Sequence, residues 1–226
     1  MINHHPKFEL IQAYVNGDLP ASVSAAIKIH ADMCPECQEK ILQLTEQVAE
    51  ISFEKVESDE DMSIELSEQD ADMLSQILAD AEFLQTDDVV TAEVAERFVM
   101  FKGKNYKLPN VLANMEIGGV TNIGKLARSR VLLDEGEIRT SLLHIEPEGS
   151  VPQHTHKGFE ITLLLDGEFS DKSGTYVKGD FIMLDGQHEH QPVSDNGCLC
   201  FTVVNDALHF TQGINKLLNP IGSLIY

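Results

Sequence analysis

Two short stretches of this chain hold the residue types that bind metal ions. In the first, HADMCPEC, three residues separate His30 from Cys34 and two separate Cys34 from Cys37. A spacing of four on a helix puts His30 and Cys34 on one face, and a two-residue gap lets both thiolates of a Cys-x-x-Cys pair reach one tetrahedral centre. A fourth ligand is still needed. His5 or His4, just before the first helix, could supply it once that helix packs against the pair. In the second stretch, QHTHKGFE, His154 and His156 point to the same side of a strand and Glu160 returns to that side after Lys157-Gly158. Downstream, DFIMLDGQHEHQP offers His188 and His190, either of which would complete three imidazoles and a carboxylate inside a barrel. Such a set takes Zn, Mn, Fe or Ni, and ligand type does not choose among them.

Competing readings exist for each group. Cys34 and Cys37 would serve a thioredoxin-like redox pair, but no βαβ pattern surrounds them and His30 is then unexplained. Either cysteine also suits a small core position. A His-x-His pair alone is often a surface accident, which the in-register Glu160 and Gly167 argue against. His144 and His209 stand in strand-like stretches without partners, and Met73, Met100 and Met183 read as packing residues. For Cys198 and Cys200, a two-residue turn at Asn196-Gly197 would pair them with Asp195 and Val193 on the face opposite His188 and His190, as buried thiols.

Composition narrows the function classes. The chain has 226 residues and a formal net charge of −21, with no Lys/Arg-rich segment, so a phosphate backbone would be repelled and direct nucleic-acid binding is disfavoured. A cationic protein partner suits this field better, although acidity also simply confers solubility. The N-terminus lacks a signal-peptide pattern and no run of about 18 apolar residues occurs, so a cytoplasmic protein without a membrane span is expected. Four cysteines are too few for a disulfide framework.

Two regions must position the clusters. Up to about residue 85 the pattern is helical. Phe8, Leu10, Ile11, Tyr14 and Val15 recur at helical spacing before a Gly17 cap. SVSAAIKIHADM forms a second helix with Ser22 as N-cap and Val23, Ala26, Ile27 and His30 on one side. Pro35 opens a third, with Ile41, Leu44, Val48 and Ile51 on its apolar face. A capping box at Ser67 starts a fourth that buries Met73, Leu74, Ile77, Leu78 and Ala81. The acidic run Glu57 to Met62 joins the last two, and Gln85 to Glu93 reads as an interdomain linker. From Arg97 short apolar runs alternate with turn residues, the pattern of an all-β sandwich or barrel. The expected fold is therefore α+β in two domains, residues 1–85 and 97–226, joined by a linker at 86–96.

His-x3-Cys-x2-Cys preceded by HHPKFELIQAYVNGDLP resembles the zinc-binding anti-sigma family, in its ChrR branch. By that resemblance His30, Cys34 and Cys37 hold zinc, with His5 as the N-terminal ligand. The small helical domain would then grip a group IV (ECF) sigma factor and block its access to core RNA polymerase. The region from Gly149 to Gly167 is similar to the first cupin motif, with one residue fewer between Gly149 and His154. The second motif is degenerate: eleven residues on from Gly179 selects His190 rather than His188, Asp185 replaces the usual proline, and no asparagine follows. HQPVSDNGCLCFTVVNDALHF and GINKLLNP also resemble the C-terminal cupin of this branch. The implied fold is a helical zinc domain followed by a cupin (jelly-roll) barrel whose metal ligands are His154, His156, Glu160 and His190. The implied activity is not enzymatic: release of the sigma factor on an oxidative signal such as singlet oxygen or peroxides. A metal-dependent, dioxygenase-like cupin enzyme with an accessory helical domain is the alternative, and homo-oligomerisation is left open.

Overall fold

The computed structural model describes residues 1–57, 67–82, 96–206 and 208–210. Four helices come first: α1 (Phe8–Asn16), α2 (Ala21–Met33), α3 (Pro35–Glu57) and α4 (Glu68–Glu82). Strands follow: β1 (Phe98–Phe101), β2 (Lys104–Lys107), β3 (Thr121–Ile123), β4 (Leu126–Val131), β5 (Arg139–Ile145), β6 (Gly149–Ser150), β7 (His154–His156), β8 (Glu160–Asp171), β9 (Gly174–Val177), β10 (Phe181–Leu184), β11 (Val193–Ser194), β12 (Cys198–Val204) and β13 (Leu208–Phe210). Nine of them form one curled antiparallel sheet, ordered β3-β4-β5-β12-β8-β11-β6 with β9 and β10 also on β8. This is the cupin arrangement, and it makes the chain α+β. The expected linker at 85–93, the acidic residues beyond Glu57 and the GINKLLNP segment lie outside the described residues.

By packing, the described chain falls into two compact units, Met1–Glu46 with Glu96–Tyr226, and Gln47–Ala95. In the first unit α2 lies on the outer face of the sheet. Val23, Ala26, Ile27 and Ile29 share a core with Ala127, Val131, Leu142, Ile161, Leu163, Leu199, Phe201 and Val203. Their neighbours along the strands, among them Leu143, Cys200 and Thr202, line a cavity on the inner face. Burial of both faces is why CLCFTVV and EITLLL read as continuous apolar runs rather than as alternating strands. β8 is long enough to serve both halves of the sheet. At Gly167 the chain takes φ +75° and a Cβ would stand 2.1 Å from the Gly197 carbonyl, so only glycine fits where β8 pairs with the start of β12.

Several local expectations change. Ser22 is not the N-cap of α2: Pro20 holds that position, and the Glu135 carboxylate, from the loop before β5, accepts the Ser22 backbone N–H at 3.2 and 3.3 Å. A carboxylate at a helix N-terminus satisfies an orphan donor and meets the positive end of the dipole. Glu135→Ala should therefore cost about 1 kcal/mol in urea-monitored stability, with the helix content of the native protein unchanged. Ser67 does cap α4, its Oγ accepting the Asp70 N–H at 3.2 Å. The face expected to be buried is not: Met73, Leu74, Ile77 and Leu78 are 45–58% exposed. Val48 and Ile51 on α3, Met100 on β1 and Met183 on β10 are exposed as well. Helical period identifies an apolar face but not what covers it. The Asn196-Gly197 turn is not a hairpin, because β11 pairs with β6 and β8 while β12 pairs with β5 and β8. Cys198 and Cys200 are buried thiols as expected, but Cys200 borders the inner cavity rather than facing away from it.

Candidate metal centres

The N-terminal arm, α1, the end of α2 and the start of α3 converge on the first cluster. Gly17 ends α1 at φ +76°, its N–H and that of Asp18 closing on the Tyr14 and Ala13 carbonyls, so that the chain turns back into α2. Pro35 then starts α3 immediately after Cys34, which places Cys34 and Cys37 on successive turns around the helix junction. His5, His30, Cys34 and Cys37 bring one ligand atom each to within 4.8 Å of all the others. The His30 Nε2 to Cys37 Sγ distance is 3.3 Å, and His5 Nδ1 stands 3.4 Å from both Cys34 Sγ and Cys37 Sγ. With Zn–S near 2.3 Å and Zn–N near 2.05 Å, a tetrahedron separates N from S by roughly 3.5 Å, so these spacings fit zinc. Burial pushes the Cys37 thiol up to about 12, with Cys34 adding to the effect. Two adjacent buried thiols become thiolates when a dication sits between them. His4, the other histidine considered, packs its ring against Tyr176 instead, with centroids 4.8 Å apart and planes tilted by 54°.

The support of His30 comes from the sheet. Its Nδ1–H donates to the Gly179 carbonyl at 2.7 Å, which fixes the tautomer that leaves Nε2 facing the thiols. Beside Gly179, the fully buried Asp180 accepts the backbone N–H groups of Asn3 at 2.7 Å and His4 at 3.0 Å on one oxygen, and that of Val177 at 2.8 Å on the other. Phe181 N–H donates to the His4 carbonyl, and Gly179 N–H to Leu164 on β8. The turn between β9 and β10 thus orients His30 and pins the arm that carries His5. Sequence reading used Gly179 only as a spacing marker and gave Asp180 no role; a Gly-Asp turn carries no signal of what it will contact far away.

The second cluster lies in the barrel interior. His154 and His156 project from β7, Glu160 opens β8, and His190 is bridged to His154 by reciprocal backbone hydrogen bonds of 3.1 Å. Their donor atoms also lie within 4.8 Å of one another. His190 Nε2 is 2.8 Å from His154 Nε2 and 3.1 Å from Glu160 Oε2, and His156 Nε2 is 2.8 Å from that oxygen. His154 Nδ1–H donates to the Pro152 carbonyl at 2.7 Å, which turns its other nitrogen inward. Burial lowers the His154 pKa to about 4 and so keeps that ring neutral, as a ligand must be. Burial works against the Glu160 anion, yet His156 and His190 hold its carboxyl well below the usual range. Both ring nitrogens of His156 and Glu160 Oε2 are buried, and the close approaches at that oxygen lack the angles of a hydrogen bond. Buried polar atoms are rarely left so, and an ion among them would satisfy them. His188 is exposed and hydrogen-bonded at Nδ1 to Asp185, outside the cluster. His144 is buried between Phe101, stacked at 5.7 Å, and Tyr106, as a packing residue.

Fold and clusters together define a class: a helical segment organised around two histidines and two cysteines, followed by a cupin with a buried His₃Glu centre. Residues 121–207 match the ChrR cupin-like domain and residues 8–38 a zinc-finger family. The anti-sigma-E factor ChrR of Cereibacter sphaeroides is 29% identical over 228 residues, covering 97% of each chain. The crystal structure of Rhodobacter sphaeroides SigE in complex with the anti-sigma ChrR aligns with a TM-score of 0.60 and 23% identity, over 90% of this chain and 100% of that one. The chain resembles ChrR along nearly its whole length, with a zinc-finger match in its helical segment followed by a match to the ChrR cupin-like domain. The zinc-finger match spans His30, Cys34 and Cys37.

Proposed function

We propose that this chain is a cytoplasmic anti-sigma factor that sequesters a group IV (ECF) sigma factor through residues 1–85 and releases it on an oxidative signal received by the cupin, residues 97–226. Its zinc is held by His5, His30, Cys34 and Cys37. A second divalent transition metal is held by His154, His156, Glu160 and His190. The observation that carries the reading is similarity to an anti-sigma factor along nearly the whole of both chains. The chain is a regulator rather than an enzyme. No helix among the described residues is long and apolar enough to cross a membrane.

Partner binding has a physical counterpart in the exposed apolar rows of two helices, Leu42, Val48 and Ile51 on α3 and Met73, Leu74, Ile77 and Leu78 on α4. Apolar rows of this length on amphipathic helices are the kind that dock into a partner, and the surrounding acidity favours a cationic one. Signal transfer also has a route. Leu184 of β10 pairs with Glu160, and the same short strand begins at Phe181, next to the Asp180 and Gly179 that hold the zinc site. A change at the cupin centre acts on the sigma factor only by favouring a state that binds it less tightly.

Capture by the tagged chain of a purified group IV sigma factor from the same organism tests the reading, and absence of capture of every such factor by zinc-loaded protein overturns it. His156→Ala should keep capture and lose stress-triggered release, read as sigma factor retained on the column after singlet-oxygen treatment. Metal analysis of protein purified without added ions should give about two equivalents per chain, and His156→Ala about one, with zinc remaining.

A further inference from the structure

Asp171 closes β8 in the sequence Asp-Lys-Ser-Gly, and its Oδ1 accepts the Ser173 N–H at 2.7 Å, the local bond by which an aspartate makes a tight turn. Asp185 accepts the Gln187 N–H in the same way at 3.0 Å. The two differ in setting. Asp185 and its neighbour His188 stand in water, their side chains 62% and 57% exposed, whereas the Asp171 side chain is 3% exposed. Turn formation therefore does not require the burial of Asp171, and a carboxylate withdrawn from water needs a partner for its other oxygen. That oxygen, Oδ2, faces His190 Nδ1 at 3.8 Å, in ion-pair range and short of a closed hydrogen bond. Tyr176 neighbours Asp171 from β9: its ring is buried against Phe169, with centroids 5.0 Å apart, and its pKa is raised by burial and then by the Asp171 charge.

The His190 imidazole presents Nε2 to the cupin centre, 2.8 Å from His154 Nε2 and 3.1 Å from Glu160 Oε2, so Nδ1 is its outward nitrogen. His154 and His30 divide their nitrogens alike, each giving Nδ1–H to a carbonyl at 2.7 Å, that of Pro152 in one case and of Gly179 in the other. At His190 the group in that place is a carboxylate, a stronger acceptor that favours the proton on Nδ1. His190 also has the greatest need of a hold. His154, His156 and Glu160 stand on β7 and β8, while His190 lies outside the strands and joins β7 through one bridge at His154. We propose that Asp171 is a positioning residue of the cupin centre: in the metal-loaded protein its carboxylate accepts the His190 Nδ1–H and so keeps Nε2 as the ligating atom. The inference rests on the reading that this centre holds a divalent metal.

Cobalt(II) titrated into the full chain, with zinc kept at the His/Cys cluster, is the probe, and His156→Ala supplies the blank for the cupin centre. Asp171→Asn keeps an oxygen for the Ser173 N–H, so the turn and the thermal unfolding midpoint stay near wild type, but it turns an amide N–H donor toward the Nδ1–H. Cobalt affinity should fall about 10–100-fold, and the visible bands of the bound cobalt should shift. Wild-type affinity and spectrum in Asp171→Asn overturn the proposal, since asparagine serves a turn equally well. Wild-type protein that takes up no more cobalt than His156→Ala overturns the metal reading and the proposal with it, a result distinct from the first. A readout free of any variant is the NMR spectrum of wild-type protein with isotope-labelled histidine and zinc in both centres: His190 should carry its proton on Nδ1, shifted downfield and slow to exchange with water. A His190 proton on Nε2, or an Nδ1 proton in fast exchange, overturns the proposal whether or not Asp171→Asn folds.

Discussion

Stripping the zinc with a strong chelator, or replacing Cys34 with serine, is expected to lower affinity for the sigma factor by at least a hundredfold while leaving the cupin folded. The cluster of Ile11, Cys34 and Cys37, with Ile2, Ile41 and Leu44 against it, is small, and two of its three fully buried members are the thiols themselves. A core of that size stabilises little without a staple, whereas a structural zinc site contributes on the order of 10 kcal/mol of folding free energy. Removing the ion leaves two buried thiols and two imidazoles without their common partner, so α1 and the first turns of α3 come loose. α2 should behave differently. Val23, Ala26, Ile27 and Ile29 sit in the core of the sheet and do not need the metal to stay there. Circular dichroism should then show loss of part of the helical signal with the strand signal retained, and Cys34→Ser should in addition keep the cupin metal. Wild-type sigma affinity in zinc-free protein would sink the idea that this cluster organises the binding surface.

Asp180→Ala, in the turn between β9 and β10, is expected to be the most damaging single change outside the metal ligands. Its carboxylate is fully buried and accepts three backbone N–H groups, two from the N-terminal arm and one from its own turn. Hydrogen bonds to a charged acceptor are worth about 1.5–3 kcal/mol each, and the donors left behind keep the cost of their burial. A loss of about 3–5 kcal/mol follows, or a melting temperature lower by roughly 10 °C for a chain of this size. The arm carries His5, and the adjoining Gly179 carbonyl orients His30, so zinc affinity should fall by about 10–100-fold in competition with a chelator. Asp180→Asn keeps one acceptor oxygen and should recover about half of the loss. Zinc affinity unchanged in Asp180→Ala would show that the arm is held by other means and that the two centres are not joined through this turn.

Much of the site was legible because the chemistry is local. His-x3-Cys-x2-Cys is set by helical pitch and a single proline turn, and His-x-His by strand alternation, so spacing alone brings those ligands to a common side. His5 and His190 are not local in that sense. Resemblance to a family supplied them, and the described side chains do converge with the other six. The apolar face of α4 shows the opposite case. Its period is plain, yet Met73, Leu74, Ile77 and Leu78 are exposed, because amphipathicity states that a helix wants cover without naming whether its own chain or another molecule provides it.

From the sequence by itself came the order of helices then strands, the acidic field, and six of the eight ligand positions, since each depends on residue type and on periodicities of two and 3.6. Only the tertiary structure decided that α2 lies on the sheet, that Glu135 caps it, and that His30 rests on a carbonyl 149 residues away. The reason is that a buried polar group takes whichever partner packing brings within about 3 Å, and a turn such as Lys178-Gly179-Asp180 looks the same in sequence whether it faces water or a metal centre.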